Sequence, residues 1–204
     1  MKVNWPERIW VNSPLRFMVQ ERESRFFKRL LDLRPGSRCL EIGCGRGVGL
    51  GLISLRFQPA RLDGLDIDPD MIRLARARAS RNTGKGVLTT ADAQELPYRS
   101  SSLDGVFNFG IIHHLEDWKQ GIQEIARVLR PGGRFYFEEI YPPLYANVIF
   151  RHILDHPREN RFHGRQFRAA LEASGLRILQ GYRESRFGIL GVAVKTTDPE
   201  ETKN

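Results

Sequence analysis

The chain has 204 residues, of which 41% are hydrophobic and 27% charged. This length corresponds to about one domain, and the composition excludes a disordered, collagen-like or disulfide-rich protein. No apolar run reaches the ~18–20 residues of a membrane-spanning helix and the first residues lack a signal-peptide core, so we expect a cytoplasmic protein without a transmembrane segment. The net charge of +8 favours anionic partners, but it does not choose among nucleic acid, lipid headgroups and acidic metabolites.

An amphipathic helix is predicted first, over residues 13–33, where Ser13 can cap the helix and Pro14 suits its first position. Arg34-Pro35-Gly36 ends it. Apolar runs and helical spacings then alternate every ~20–30 residues, which is typical of βαβ units. The alternation predicts strands at 39–42, 62–67, 87–91, 103–109 and 134–140, helices at 48–57, 69–81 and 117–129, and a turn at 131–133. The fold class is therefore α/β, a mostly parallel Rossmann-like sheet with helices on both faces.

The last part of the chain has a different pattern. A helix is predicted at 164–173 and strands at 176–182 and 189–195. Because 183–188 is too short for a crossover helix, these two strands must pair antiparallel, which gives the sheet a reversed last strand. We expect a single domain over 1–204, organised as an N-terminal helical segment (1–36), a cofactor-binding core (37–140), a substrate-facing insertion (141–163) and a C-terminal helix and hairpin (164–204).

Glycines occupy every second position of Gly43-Cys44-Gly45-Arg46-Gly47-Val48-Gly49, directly after the first strand. Such a loop lets a ligand approach bare backbone at the strand ends. It does not match the dinucleotide fingerprint, because the sixth position counted from Gly43, Gly45 or Gly47 is not glycine, and it lacks the Gly-Lys-Ser/Thr of a phosphate loop. The two cysteines, Cys39 and Cys44, have no metal-ligand spacing, and we expect no metal site.

Acidic residues end the next two predicted strands. Asp66 lies 19 residues beyond Gly47 and can accept hydrogen bonds from both hydroxyls of a ribose, while Asp68, directly before Pro69, is the better helix cap. Asp92, after the third strand, can accept a hydrogen bond from an adenine amine. The glycine loop and the two carboxylates together predict a nucleoside site without a phosphate group.

These residues resemble the class I S-adenosylmethionine-dependent methyltransferases, and among them the ubiquinone/menaquinone-biosynthesis type. The resemblance covers about residues 38–139. Its carriers are Leu40 to Gly47, Gly64 to Asp68, Ala91 to Tyr98, Phe107 to His114 and Arg127 to Arg134.

The resemblance implies a seven-stranded sheet and S-adenosylmethionine as cofactor. Glu41 and the backbone of Gly43, Cys44, Gly45 and Gly47 would hold the methionine part, and Asp66 the ribose. Further along the cofactor, the implied contacts are Ile67 and Met71 flanking the adenine, Asp92 and the Ala93 backbone at its edge, and Asn108 and Phe109 near the sulfonium. A carboxylate such as Glu41 suits the cationic ammonium group of the cofactor.

Methyl transfer is an in-line displacement that requires alignment of the reactants and exclusion of water, and a base only if the nucleophile must lose a proton. His113 and His114 follow the fourth strand and can accept a proton near neutral pH, although either can instead pack or cap the next helix. Glu138 or its neighbour Glu139 should point towards the site at the end of the fifth strand. Tyr141 is a further candidate, as catalyst or as wall.

The acceptor is less defined by the sequence. The Asn-Pro-Pro-aromatic pattern of amino-methylating nucleic-acid enzymes is missing after the fourth strand, where the chain has Phe107-Asn108-Phe109-Gly110. We therefore expect a small-molecule or lipid-like acceptor, whose anionic group Arg151, Arg161 or Arg165 could bind. RNA methylation, supported only by the charge, and a non-catalytic module that binds the cofactor remain alternatives.

Overall fold

The computed structural model describes residues 13–79, 86–145 and 161–196. Within these ranges, helices and strands alternate through most of the chain. The helices are α1 (Pro14–Leu30), α2 (Val48–Phe57), α3 (Pro69–Ala79), α4 (Trp118–Val128), α5 (Pro142–Tyr145) and α6 (Gly164–Ala173), with a 3-10 turn at Ile112–His114. The strands are β1 (Arg38–Ile42), β2 (Arg61–Asp66), β3 (Leu88–Thr90), β4 (Leu103–Phe109), β5 (Leu129–Ile140), β6 (Leu176–Ile178), β7 (Arg183–Ser185) and β8 (Gly188–Lys195).

The strands form one sheet in the order β3-β2-β1-β4-β5-β8-β6, and the short β7 pairs with β8 off this path. Strands β1 to β5 are parallel, whereas β8 runs antiparallel to both β5 and β6. The predicted α/β class and its reversed late strand are confirmed. Because the first five strands are parallel, their carboxyl ends meet at one edge of the sheet.

The Pro131–Gly133 segment, predicted as a turn before the fifth strand, lies inside β5 as a bulge. Leu103 pairs with Leu129, whereas Gly105 pairs with Arg134, so five residue steps of β5 span two of β4. The three extra residues loop out of the ladder, and Gly132 has a φ of +74° that favours glycine.

The predicted strand 176–182 was too long. Strand β6 ends at Ile178, and Gly181, with a φ of +90°, separates it from β7. The predicted connection 183–188 therefore contains a strand, and the tight turn falls at Arg186-Phe187. Strand β3 is also shorter than the predicted 87–91, and the predicted end of α3, near residue 81, lies outside the described residues.

Alternating side chains of β5 divide the core between the two faces of the sheet. Phe135 and Phe137 pack under α4 and α6, together with Trp118 and Phe167. On the other face Tyr136 packs under α1 and α2, where its ring stacks on Phe107 at a centroid distance of 4.3 Å. Both faces of the sheet are thus covered by helices.

Helix α1 lies against the carboxyl ends of β4 and β5. The Ser13 hydroxyl accepts a hydrogen bond from the Arg16 amide at 3.1 Å, which confirms the predicted cap. The fully buried Phe27 packs its ring against those of Phe109 and Tyr136. The N-terminal helix is therefore fixed by aromatic packing beside the sheet edge where the glycine loop lies.

We expect Phe27→Ala to lower the free energy of unfolding by about 3–5 kcal/mol, because it removes a fully buried ring and leaves a cavity. The matched control is Met18→Ala on the same helix, where the side chain is 62% exposed and the loss should stay within about 0.5 kcal/mol. Urea denaturation of both variants measures the difference. Equal losses would show that α1 does not pack on the sheet in this way.

Candidate cofactor site

Register places the predicted site residues along one edge of the sheet. Ile42 pairs with Leu65 on one side and with Asn108 on the other, and Phe109 pairs with Glu138. The glycine loop after β1, Asp66 at the end of β2 and Gly110 after β4 are therefore neighbours across the sheet.

The glycine loop leaves the sheet in a conformation that favours glycine. Gly43 has a φ of +62°, and a side chain there would overlap Ile111. Gly45 has a φ of +51°, but a Cβ at this position would have no neighbour within 4 Å. Gly43 is thus required by packing, whereas Gly45 presents bare backbone to open space, as a ligand site needs.

Asp66 is fixed towards the glycine loop. Its Oδ2 accepts a hydrogen bond from the Gly45 amide at 2.8 Å, and its Oδ1 accepts one from the Asp68 amide at 2.9 Å. A carboxylate accepts about four hydrogen bonds, so acceptor capacity remains for a ligand. Asp68 instead caps α3 by accepting from the Asp70 amide at 3.0 Å, as the sequence suggested. Burial raises the pKa of Asp66.

Glu41 is a buried carboxylate, 2% exposed, beneath the start of α2. It accepts a hydrogen bond from the Leu50 amide, and a side chain at Gly49 would overlap it. Its Oε2 has no hydrogen-bond partner. Burial first, and then the charge of Asp66, raise the pKa of Glu41 well above its usual range. A buried acceptor without a partner fits a cationic group such as the ammonium of S-adenosylmethionine.

The residues predicted around the adenine lie further along the same edge. Ile67 is exposed and Met71 half-buried. Ala93 is buried, while the half-buried Asp92 accepts hydrogen bonds from the Gln94 backbone at 2.8 Å and from its side chain. The roles of these four residues in adenine binding stay predictions.

Asn108, Glu139 and His113 form a buried hydrogen-bond network under the end of β4. Asn108 Nδ2 donates to Glu139 Oε1 at 2.6 Å, and the Ile112 amide donates to the same oxygen at 2.7 Å. His113 Nδ1 lies 2.7 Å from Glu139 Oε2. The network fixes the turn after β4, so Asn108 lies beneath the surface of the site.

Burial governs the protonation of this network. It raises the pKa of Glu139 to about 7, and it lowers the pKa of His113 well below its usual range. The rings of His113 and His114 lie 4.1 Å apart, and the charge of His114 lowers the pKa of His113 further. His113 is therefore neutral and packed, and His114 is the more accessible of the two histidines.

Glu138 is held by an arginine that sequence analysis did not single out. Arg16 Nη2 donates to Glu138 Oε2 at 3.1 Å and to the Phe109 carbonyl at 2.8 Å, while Nη1 lies 3.4 Å from Glu23 Oε1. The Phe109 ring itself packs in the core, so its carbonyl is the group that faces this cluster. The seven-residue spacing of Arg16 and Glu23 places both on one face of a helix and was the available signal.

Tyr141 is buried in the hydrophobic core. Its hydroxyl donates to Glu184 Oε1 at 3.0 Å, and Glu184 also pairs with Arg168. Arg161 lines a groove between α4 and α6, together with Lys119 and Lys195. Arg165 lies exposed on α6, and Arg151 lies outside the described residues.

Comparison with known proteins agrees with this geometry. Residues 40–137 match the family model of a methyltransferase domain. A fatty-acid O-methyltransferase of Mycolicibacterium smegmatis is 37% identical over 107 residues, which are 52% of this chain and 38% of the relative. A ubiquinone/menaquinone biosynthesis C-methyltransferase of Geotalea daltonii is 28% identical over 152 residues, 72% of this chain and 63% of the relative. A solved S-adenosylmethionine-dependent methyltransferase from Aquifex aeolicus has the same fold, with a TM-score of 0.72 at 17% identity, over 95% of this chain and 100% of that one.

Residues 40–137 are therefore similar to a methyltransferase domain, and the fold of the chain is that of a solved S-adenosylmethionine-dependent methyltransferase. The relatives come from several branches. This chain spans only 38% of the fatty-acid O-methyltransferase and 63% of the ubiquinone/menaquinone biosynthesis enzyme. Among the residues that the structure describes, no helix has the length and apolar composition that crossing a membrane requires.

We expect the stability that Glu139 contributes to depend on pH. Since its folded pKa is raised from 4.5 to about 7, this contribution is fully present below about pH 4.5 and is lost as pH rises through about 7. The free energy of unfolding of the native chain should therefore fall, relative to Glu139→Gln, by more than ~1 kcal/mol between pH 5 and pH 8. Urea denaturation at both pH values measures this, with the exposed Glu172→Gln as control. A difference that stays constant with pH would contradict the assignment.

Proposed function

We propose that the chain transfers the methyl group of S-adenosylmethionine to a small-molecule or lipid-like acceptor. The observation that carries this proposal is the conjunction, at one sheet edge, of the bare Gly45 backbone, the fixed Asp66 carboxylate and the unpartnered oxygen of Glu41. A dinucleotide or phosphate ligand would need a different loop, because no phosphate-binding motif follows β1. A nucleoside with a cationic tail matches all three features.

Different residues along the sheet edge bind different parts of the cofactor. Glu41 and the backbone from Gly43 to Gly47 hold the amino-acid end, and Asp66 accepts hydrogen bonds from the ribose. Ile67, Met71, Asp92 and Ala93 enclose the adenine. When bound, S-adenosylmethionine supplies a methyl group that its sulfonium already activates.

The remaining task of the protein is to align the acceptor and exclude water. The bound cofactor would supply the methyl carbon, which would bond to the acceptor atom as the carbon–sulfur bond breaks and leaves a neutral thioether. If the acceptor must lose a proton, His114 is the candidate base, because it is half-buried after β4, whereas His113 is buried and Glu138 is buried with Arg16. Tyr141 serves as a wall, since its hydroxyl is committed to Glu184.

The similar proteins support an apolar acceptor, because they include a fatty-acid O-methyltransferase and a C-methyltransferase of ubiquinone/menaquinone biosynthesis, the type that the motifs resemble. Arg161, next to Phe162 in the chain, is one of the arginines predicted to bind an anionic group of such an acceptor.

Cofactor binding provides the first test. Asp66→Asn should weaken the binding of S-adenosylhomocysteine at least about tenfold, because a charge-assisted hydrogen bond contributes about 1.5–3 kcal/mol. The control is Asp70→Asn, an exposed aspartate that pairs with Arg73 on α3 and should change the affinity less than about twofold. Isothermal titration calorimetry measures both. Absence of binding to the native chain would refute the proposed function.

Transfer itself is tested with S-adenosylmethionine labelled in its methyl group. We expect the label to appear in organic-extractable material when the chain is incubated with fatty acids, phenols or quinols, and not in RNA. Label found in RNA would show that RNA, and not a small molecule or lipid, is the acceptor. Tight cofactor binding with no transfer to any acceptor would favour a non-catalytic module instead.

A further inference from the structure

Arg16, Glu23 and Glu138 form a buried charge cluster beside the proposed cofactor site. The side chains of Arg16 and Glu138 are each 12% exposed, and that of Glu23 is 9% exposed. Both glutamates contact the same guanidinium, Glu23 from α1 and Glu138 from the end of β5. One positive charge thus faces two carboxylates in a region that water scarcely reaches.

One oxygen of this cluster has no partner. Glu23 Oε1 contacts Arg16, but Oε2 is buried without any hydrogen bond. Leaving a buried acceptor unpaired costs about 1–3 kcal/mol, and more when the group is charged. Burial first, and then the charge of Glu138, raise the pKa of Glu23 to about 8. Arg16 is thus the one cation near Glu23 in the described part of the chain, and a second positive charge would favour the ionised form of this carboxyl.

The cluster lies at the end of β4, where the resemblance places the sulfonium of the cofactor. Glu138 pairs in register with Phe109, and its carboxylate lies against Gly110, directly after β4. Arg16 is bound to the Phe109 carbonyl. Glu41, whose Oε2 has no partner, is on β1, the strand next to β4. Burial raises its pKa, and the positive charge of Arg16 opposes this rise, so the two groups interact electrostatically.

We propose that Glu23 and Glu138, held in place by Arg16, recognise the positive charge of the sulfonium and so favour S-adenosylmethionine over S-adenosylhomocysteine. The inference rests on the proposed function and adds a specificity determinant from the N-terminal helix to it. The substrate and product forms of the cofactor differ by one methyl group and one unit of charge. A carboxylate in a poorly solvated site is sensitive to that charge, whereas the glycine loop and Asp66 contact parts common to both.

The discrimination also favours product release. When the sulfonium becomes a neutral thioether, the two glutamates again face a single guanidinium, and their mutual repulsion returns. The cluster is then neutralised by a proton. The cluster thus binds the cationic substrate form more tightly than the neutral product form.

The preference should depend on pH. Arg16 and Glu138 are the charged groups that act on Glu23. Glu139 on β5, Glu41 on β1 and His113 after β4 act on the cluster through Arg16, and His114 acts on Glu139. Below the pKa of Glu23, about 8, this carboxyl is protonated and attracts the sulfonium weakly. The preference for S-adenosylmethionine should therefore rise with pH between 6.5 and 8.5.

The test compares the dissociation constants of both cofactor forms for the native chain, Glu23→Gln and Glu138→Gln by calorimetry at pH 6.5 and 8.5. We expect each variant to lower the ratio of Kd for S-adenosylhomocysteine to Kd for S-adenosylmethionine about tenfold at pH 8.5. Glu23→Gln should also remove the pH dependence of the ratio. The matched control is Glu21→Gln on the same helix, where the carboxylate is bound to Arg25 and Arg56 outside the cluster, and the ratio should stay within about twofold.

The outcomes separate this inference from the proposed function. If the native chain binds neither form, the proposed function fails. If both forms bind and the variants leave the ratio unchanged, or if Glu21→Gln lowers it equally, the inference fails while the proposed function stands. Thermal unfolding confirms that each variant is folded, and Glu138→Gln tests the same charge from the sheet should the helix variant be unstable.

Discussion

The hydrogen bond from the Gly45 amide to the Asp66 carboxylate, 2.8 Å long, is the contact on which the site depends. It joins the glycine loop after β1 to the end of β2, and the second oxygen of Asp66 is fixed by the Asp68 amide. This arrangement needs a parallel sheet, because only there do consecutive strands end at one edge. It also needs glycine at position 43, where any side chain would overlap Ile111.

Buried carboxylates define the electrostatics of the edge. Glu41, Glu138 and Glu139 are all removed from water, and burial raises the pKa of each. Glu139 is stabilised by Asn108 and the backbone of the turn after β4, whereas Glu41 keeps an unpartnered oxygen. Such an edge suits a cationic nucleoside, because a positive charge beside these buried acids favours their ionised forms.

The fold could be predicted because local patterns determine it. Apolar runs and glycine loops marked the alternating strands and helices, and the short connection at 183–188 indicated the reversed last strand. The roles of Gly45 and Asp66 in cofactor binding stay predictions. The bulge at Pro131–Gly133 could not be predicted, since it depends on the register between β4 and β5. The partnership of Arg16 with Glu138 joins residues 122 positions apart and follows from how α1 packs on the sheet. The candidate bases and the acceptor pocket remain predictions for the same reason.

If this sheet edge holds an adenosyl group with its ribose on Asp66, a crystal structure with S-adenosylhomocysteine will show it. We expect both ribose hydroxyls within hydrogen-bonding distance, about 2.5–3.2 Å, of the Asp66 carboxylate, and the amino group of the ligand beside Glu41. A ligand bound elsewhere, or a ribose that leaves Asp66 in contact only with Gly45 and Asp68, would contradict it.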